Sequence, residues 1–143
     1  MENSLSSVER FIRDYERDIA AGNMPAILGH FADPFLAATP QGTKIVTAAD
    51  HAQGLPARKQ LFDRMGCKSS SLVDVHSIPL SARYALLLTK WRMNFAVADS
   101  TQKELLVDSA FIADTSAEAF KIILYLAGDD IMALLKERGI LQN

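Results

Sequence analysis

The spacing of hydrophobic residues changes along the chain, from helical intervals in the first half to alternation in the second. Ser6 and Glu9 have the spacing of a capping box, in which each side chain accepts a free backbone N–H, so a helix is predicted to begin there. Gly22 is a typical left-handed end for this helix. Its predicted apolar stripe contains Val8, Phe11, Ile12, Tyr15 and Ile19.

Proline and glycine divide the next segment into shorter elements. A short helix is predicted to begin at Asn23 and to end at Asp33-Pro34, because a residue that precedes proline disfavours helical dihedral angles. A turn that contains both proline and glycine follows it. This turn separates two short predicted strands, at 35–39 and 44–46.

A capping pattern at Thr47 and Asp50 opens a third helical region. Gly54 and Pro56 interrupt this region, because proline lacks the N–H of a helical hydrogen bond and collides with the preceding turn. We therefore predict that the regular part of the third helix covers 56–65.

From residue 70 onward the apolar positions alternate, which is the pattern of strands with two different faces. Short links make neighbouring strands antiparallel, and a last helix is predicted from a cap at Asp129 or Asp130 to Gly139. Helices first and a strand meander afterwards indicate an α+β fold, with helices on one face of a curved antiparallel sheet. The four long strands are predicted at 70–78, 84–97, 103–113 and 119–127.

Both faces of the strand at 84–97 are largely apolar, although the helices can cover only one of them. The face of Leu86 and Leu88 is predicted to line the interior. The opposite face is then an exposed apolar patch, which is typical of a subunit interface, so a homodimer is predicted through Trp91, Met93 and Phe95. In the alternative, the strand bends and the C-terminal helix folds over this second face.

Composition and charge narrow the classes of function. The 143 residues, 49% hydrophobic and 22% charged, are expected to form a single domain over 1–143. A formal net charge of -2 without a Lys/Arg cluster predicts neither a nucleic-acid nor a membrane partner, and a cytoplasmic location is the default without a signal or spanning segment. One cysteine excludes an internal disulfide, and His51, Asp50 and Asp33 lack the spacing of a metal site, so no metal and no cofactor are expected.

Four segments resemble the nuclear-transport-factor-2-like superfamily, and most closely its group of SnoaL-like polyketide cyclases and ketosteroid isomerases. The resemblance extends from Val8 to Gly128. It implies a cone-shaped, cystatin-like fold with N-terminal helices on the concave face, an apolar pocket, and frequent homodimers through the sheet. It also implies that members are enzymes, binding proteins or scaffolds. The segments are YERDIAAGN (15–23), FADPFLAATPQG (31–42), VDSAFI (107–112) and FKIILYLAG (120–128).

The resemblance to ketosteroid isomerases also implies site residues. It places Tyr15 and Asp108 as an oxyanion hole that polarises a substrate oxygen, and Thr39 at the position of the general base. Threonine is no base near neutral pH, so His30 is the predicted substitute. Three alternatives stay open: Tyr15 as a core residue with a structural acceptor, Asp108 as a carboxylate held by backbone N–H groups or an arginine, and His30 as a solvent-facing residue at a helix end.

The sequence thus predicts a pocket protein for an apolar molecule with a carbonyl or hydroxyl group. If it is an enzyme, the expected chemistry is cofactor-free proton transfer, as in isomerisation, cyclisation or dehydration. The alternatives are a non-catalytic binding module and a dimeric scaffold whose interior is filled by side chains. The predicted pocket lining is Phe31, Phe35, Thr39, Phe62, Met65, Leu86, Leu88 and Tyr125.

Overall fold

A computed structural model describes residues 6–96 and 101–140 of the chain. The predicted end of a strand at Val97, and part of the link that follows it, lie outside these residues. None of the described helices is long and apolar enough to cross a membrane. In chain order the elements are α1 (Ser7–Ala21), α2 (Met24–Gly29), β1 (Phe31–Thr39), β2 (Gly42–Val46), α3 (Ala48–Arg64), β3 (Cys67–Pro79), β4 (Tyr84–Ala96), β5 (Gln102–Asp114), β6 (Lys121–Ala127) and α4 (Ile131–Glu137).

The six strands form one sheet in the order β2-β1-β6-β5-β4-β3. The four long strands are the predicted antiparallel meander, because β3, β4, β5 and β6 each pair antiparallel with the next. β1 returns beside β6 and pairs with it in parallel, so the sheet is mixed rather than wholly antiparallel. The predicted α+β class, with a curved sheet and helices, is confirmed.

Local sequence signals set the ends of α1 as predicted. The Ser6 hydroxyl accepts the backbone N–H of Glu9 at 3.1 Å, and the Glu9 carboxylate accepts the N–H of Ser6 at 3.4 Å. Gly22 ends the helix with a φ of 67°, a left-handed conformation that glycine adopts without strain. Phe11 and Ile12 are buried against the sheet.

The predicted boundary at Asp33-Pro34 is wrong. α2 already ends at Gly29, and both residues lie inside β1. The register between β1 and β6 is irregular from Phe31 to Leu36, so the missing N–H of proline removes no regular ladder hydrogen bond there.

The helix α3 begins earlier than predicted and passes through Gly54 and Pro56 without a break. The Thr47 hydroxyl accepts the N–H of Asp50 at 3.1 Å, which completes a capping box. The side chain of Asp33, from β1, accepts the N–H of Ala48 at 2.9 Å and so fixes the first turn. This contact between distant parts of the chain adds to the predicted capping pattern and anchors the first turn to the sheet.

The prediction assigned the two faces of β4 the wrong way round. Trp91, Met93 and Phe95 are only 7%, 7% and 0% exposed, because α1 and α4 cover them, and they belong to the core rather than to a subunit interface. Leu135 of α4 packs in the same cluster, so the open alternative, in which the C-terminal helix folds over this face, is what the structure shows. We call this side of the sheet the inner face.

The opposite side, which we call the outer face, is left open by the described helices. Leu88 of β4, Leu106 of β5 and Leu126 of β6 are 43%, 43% and 42% exposed on it. Leu86, also on this face, pairs across the strands with Ile112. Leu86 and Leu88 therefore point away from the interior that they were predicted to line.

Candidate functional site

A cavity of about 900 Å³ lies between the inner face and the helices α1 and α3. A volume of this size is typical of small-molecule sites, which range over roughly 300–1,000 Å³. Its walls are mostly apolar and aromatic, with a few polar groups directed into it. The aromatic residues on the wall include Tyr15, Phe31, Phe35, Phe62, Phe111 and Tyr125.

Tyr15 projects from α1 into a cage of aromatic rings. Its ring meets Phe31, Trp91 and Phe111 edge-on, with centroid distances of 5.7, 6.2 and 5.7 Å. Within the described residues its hydroxyl has no hydrogen-bond partner. Burial raises the pKa of Tyr15 far above its usual value, and the nearby Tyr125 raises it further. The phenol thus stays protonated at neutral pH and keeps a free donor toward the cavity.

Tyr125, on β6, supplies a second phenol to the same cavity. Its ring lies 5.3 Å from that of Phe111, and burial raises its pKa. No residue in the described ranges accepts or donates a hydrogen bond at its hydroxyl. Arg58 lowers the pKa of both tyrosines, which places a positive charge near both hydroxyls. Two hydroxyl donors without a hydrogen-bond partner in the described residues, and one cation, therefore line the same cavity.

His51 of α3 is a cavity residue that the sequence did not identify as functional. Its ring packs edge-on against Phe31 and Phe35, with centroid distances of 4.6 and 5.0 Å. Burial lowers its pKa, so the imidazole is neutral at pH 7. It forms no hydrogen bond with any residue that the structure describes. A neutral imidazole with a free nitrogen is able to accept a proton.

A signal for His51 was present in the sequence. His51, Leu55, Arg58 and Phe62 follow one another at intervals of four, three and four residues, which places them on one face of a helix. All four line the cavity. The prediction that the regular helix starts at residue 56 left His51 outside it and hid the pattern.

Asp108 is not part of an oxyanion hole with Tyr15. Its side chain lies on the outer face, 63% exposed, and its Oδ1 is 2.8 Å from Nζ of Lys90. Asp108 also borders the cavity, but its carboxylate is directed to Lys90. The carboxylate is thus held by a cation, close to the open alternative, with lysine in place of arginine.

His30 is also not on the cavity wall. Its Nε2 lies 2.7 Å from Oδ2 of Asp18, and its ring packs edge-on against Phe11 and Tyr15, behind the tyrosine. The imidazole is thus engaged by a carboxylate of α1 and does not face a ligand. Its predicted role as the base is not supported by this placement.

The other predicted pocket residues divide into two groups. Phe31, Phe35, Phe62 and Tyr125 lie on the cavity wall, as does Tyr15. Thr39 instead closes the turn after β1, where its Oγ1 accepts the N–H of Gln41 at 3.2 Å. Met65 caps α3 and packs against the core, while Leu86 and Leu88 lie on the outer face. Trp91 and Met93, predicted for the interface, line the cavity.

The cavity wall contains no cluster of metal ligands. Across residues 6–96 and 101–140, no three His, Cys, Asp or Glu side chains come together in a group able to hold a metal ion. The indole N–H of Trp91 is also committed, because it donates to Thr89 Oγ1 at 3.0 Å. The two phenols and the imidazole are thus cavity groups without a side-chain hydrogen bond in the described residues.

Comparisons by sequence find no relative. No protein-family model matches the chain, and no curated protein matches it.

Solved structures resemble the chain at low sequence identity. An NTF2-like protein with a cystatin-like fold from Novosphingobium aromaticivorans has a TM-score of 0.67 and 13% identity, over 95% of this chain and 87% of that one. A ketosteroid isomerase-like protein from Erwinia carotovora atroseptica has a TM-score of 0.67 and 11% identity, over 88% and 95%. The β subunit of benzoate 1,2-dioxygenase from Burkholderia mallei has a TM-score of 0.59 and 16% identity, over 89% and 91%. The chain therefore has the nuclear-transport-factor-2-like, or cystatin-like, fold.

Proposed function

We propose that this protein binds an apolar small molecule with a carbonyl or hydroxyl oxygen in the cavity of the inner face. The observation that carries the proposal is the pair of enclosed hydroxyls, on Tyr15 and Tyr125, without a partner in the described chain. Both tyrosines line the cavity, so a ligand oxygen is able to accept from their hydroxyls while the surrounding rings bind the apolar part of the ligand.

A specific observation also favours a second candidate function, proton transfer at the carbon next to a carbonyl. His51 is neutral and has no side-chain hydrogen bond in the described residues, and the ring of Phe31 contacts both His51 and Tyr15. In this mechanism the ligand carbonyl accepts a hydrogen bond from Tyr15, which stabilises the enolate that forms. His51 accepts the proton that leaves the carbon and returns it to another atom of the same ligand.

This route requires no cofactor and corresponds to isomerisation, or to the proton-transfer steps of cyclisation and dehydration. His51 then takes the role that was predicted for His30, and Tyr15 acts without Asp108. The ketosteroid isomerase-like protein among the fold neighbours is consistent with such chemistry. At 11% identity this likeness supports the fold alone and assigns no residue.

The outer face supports the proposal of a homodimer through the sheet, with different residues from those predicted. Leu88, Leu106 and Leu126 are large, exposed and on one surface. The register of β4 and β5 places the ion pair of Lys90 and Asp108 between Leu88 and Leu106, so the exposed leucines flank a charged pair. Large exposed apolar residues on one surface often mark an interface, and we propose that a second copy of this chain covers them.

Trp91 offers a direct test of the ligand proposal, because it is the single tryptophan of the chain and lines the cavity. Titration with 2-decalone, a neutral bicyclic ketone, is expected to change its fluorescence in a saturable way. Tyr15→Phe and Tyr125→Phe are each expected to weaken binding by about 2- to 12-fold, which corresponds to the ~0.5–1.5 kcal/mol of one hydrogen bond.

Tyr84→Phe is the matched control, because Tyr84 lies on the outer face and should leave the affinity unchanged. Absence of a saturable response in the wild type would contradict the proposed site. An equal loss in all three tyrosine variants would assign the effect to the fold rather than to the cavity hydroxyls.

A further inference from the structure

We propose that the natural ligand of the cavity is an apolar carboxylate and that Arg58 is its counterion. The inference rests on the proposed function, because it names the ligand class of the same site. The proposed function requires a ligand with a carbonyl or hydroxyl oxygen. The present inference goes further, because it requires a ligand group with a full negative charge at the mouth of the cavity, next to the two phenols.

Arg58 lies on the cavity wall, at an exposed position of α3. Its Cζ is 4.7 Å from the centroid of the Phe62 ring, so the guanidinium stacks on an apolar surface that also lines the cavity. In the described part of the chain no carboxylate forms an ion pair with it. This arginine is therefore positioned by an aromatic ring and has its hydrogen-bond donors free.

The carboxylates on the described cavity wall form no ion pair with Arg58. Three carboxylates there are already engaged. Asp63 pairs with Lys59 at 3.1 Å, Asp50 accepts the N–H of Thr47 at 3.4 Å, and Asp129 accepts the N–H of Asp108 at 2.9 Å. The carboxylate of Asp108 itself pairs with Lys90 on the outer face.

Lys44, Arg58 and Lys68 are the wall cations without an ion pair in the described ranges. Lys44 and Lys68 are exposed and belong to β2 and β3. Asp50 and Asp129 keep their negative charge, because a backbone N–H does not neutralise a carboxylate. The attraction for an anion is therefore local to the guanidinium of Arg58, which stacks on the cavity wall at Phe62.

The donor set matches the geometry of a carboxylate. A guanidinium presents a planar fork of N–H groups that pairs with both oxygens of a carboxylate, and it is more weakly hydrated than an ammonium group. The hydroxyls of Tyr15 and Tyr125 are further donors for the remaining lone pairs. The aromatic wall then binds the hydrocarbon part of the ligand.

The experiment compares two probes of equal shape, decahydronaphthalene-2-carboxylate and its primary amide, by titration calorimetry and Trp91 fluorescence at pH 7.5. The wild type is expected to bind the carboxylate at least about tenfold more tightly than the amide, as charge-assisted hydrogen bonds predict. Arg58→Gln should abolish this preference, so that the two probes bind within about twofold of each other. Arg64→Gln is the matched control and should keep the preference, since Arg64 is an exposed arginine of the same helix that does not line the cavity.

Each outcome of this experiment has a distinct meaning. Equal affinity of the wild type for both probes would overturn the carboxylate inference and leave the proposed cavity function standing. A preference that survives in Arg58→Gln would overturn the role of Arg58. Binding of neither probe, and of no 2-decalone, would overturn the proposed function itself. Circular dichroism and thermal unfolding of each variant establish that the fold is retained.

Discussion

The two faces of the strand β4 are similar in composition and opposite in environment. On the inner face Leu87 and Phe95 are fully buried, whereas on the outer face Leu88 remains largely exposed. What separates the faces is charge. Lys90 and Arg92 share the outer face with their partners on β5, Asp108 at 2.8 Å and Glu104 at 2.6 Å. Cross-strand ion pairs identify the solvent side more reliably than the amount of hydrophobic surface does.

The inner face also differs in how its polar groups are satisfied. Thr89 is buried there, and its hydroxyl donates to the carbonyl of Ser109 at 2.9 Å while it accepts the indole N–H of Trp91. Tyr15, on the helix above, has no such partner among the described residues. The contrast is between a hydroxyl that the strands satisfy and a hydroxyl that faces the cavity.

The largest expected difference between the faces is in stability. Phe95→Ala should lower the free energy of unfolding by about 3–5 kcal/mol, because it leaves a cavity in a close-packed core. Leu106→Ala, on the outer face, should change it by less than about 1 kcal/mol in the isolated monomer. Urea unfolding at a concentration where the protein is monomeric measures both. Similar losses for the two variants would contradict the assignment of the faces.

The next effect concerns assembly through the outer face. Leu88→Asp should shift the proposed dimer toward monomer by about 30- to 1,000-fold in Kd, since central interface residues contribute roughly 2–4 kcal/mol. Light scattering across a dilution series measures the shift. Leu61→Asp is the control, because Leu61 is an exposed leucine of α3. A wild type that is monomeric at high concentration would refute the dimer.

The fold was largely predictable from sequence because its signals are local. The capping box of α1, its glycine end and the alternation of the long strands involve neighbouring residues. The missed features depend on contacts between distant residues. The anchor of α3 on Asp33 joins it to β1, and the face of Asp108 requires its register with Lys90. Contacts between residues so far apart in the chain can be predicted only once the order of the strands in the sheet is known.

A smaller effect is expected inside the inner face. Thr89→Val should reduce the free energy of unfolding by about 1–3 kcal/mol, since it leaves the indole N–H of Trp91 buried without its acceptor. Asp108→Asn, on the outer face, should change neither stability nor ligand affinity measurably, because its ion pair is exposed to solvent. A large loss of ligand affinity in Asp108→Asn would restore the oxyanion role that the structure does not support.

The smallest effect is a dependence of stability on pH. Burial lowers the pKa of folded His51 below its unfolded value near 6.5. The stability that depends on the neutral imidazole is therefore fully present above pH 6.5, and it is lost as the pH falls through the pKa of His51 in the folded state. His51→Gln should show a shallower decline in unfolding free energy between pH 7 and 5 than the wild type. His76→Gln, on the outer face, should match the wild type.

A crystal structure of the protein with decahydronaphthalene-2-carboxylate tests the central claim most directly. The account predicts the bicyclic ring between α1, α3 and the inner face, with a ligand oxygen within hydrogen-bond distance of the Tyr15 hydroxyl and the carboxylate beside Arg58. A ligand bound only on the outer face, or an inner-face cavity closed by side chains in the crystal, would contradict it.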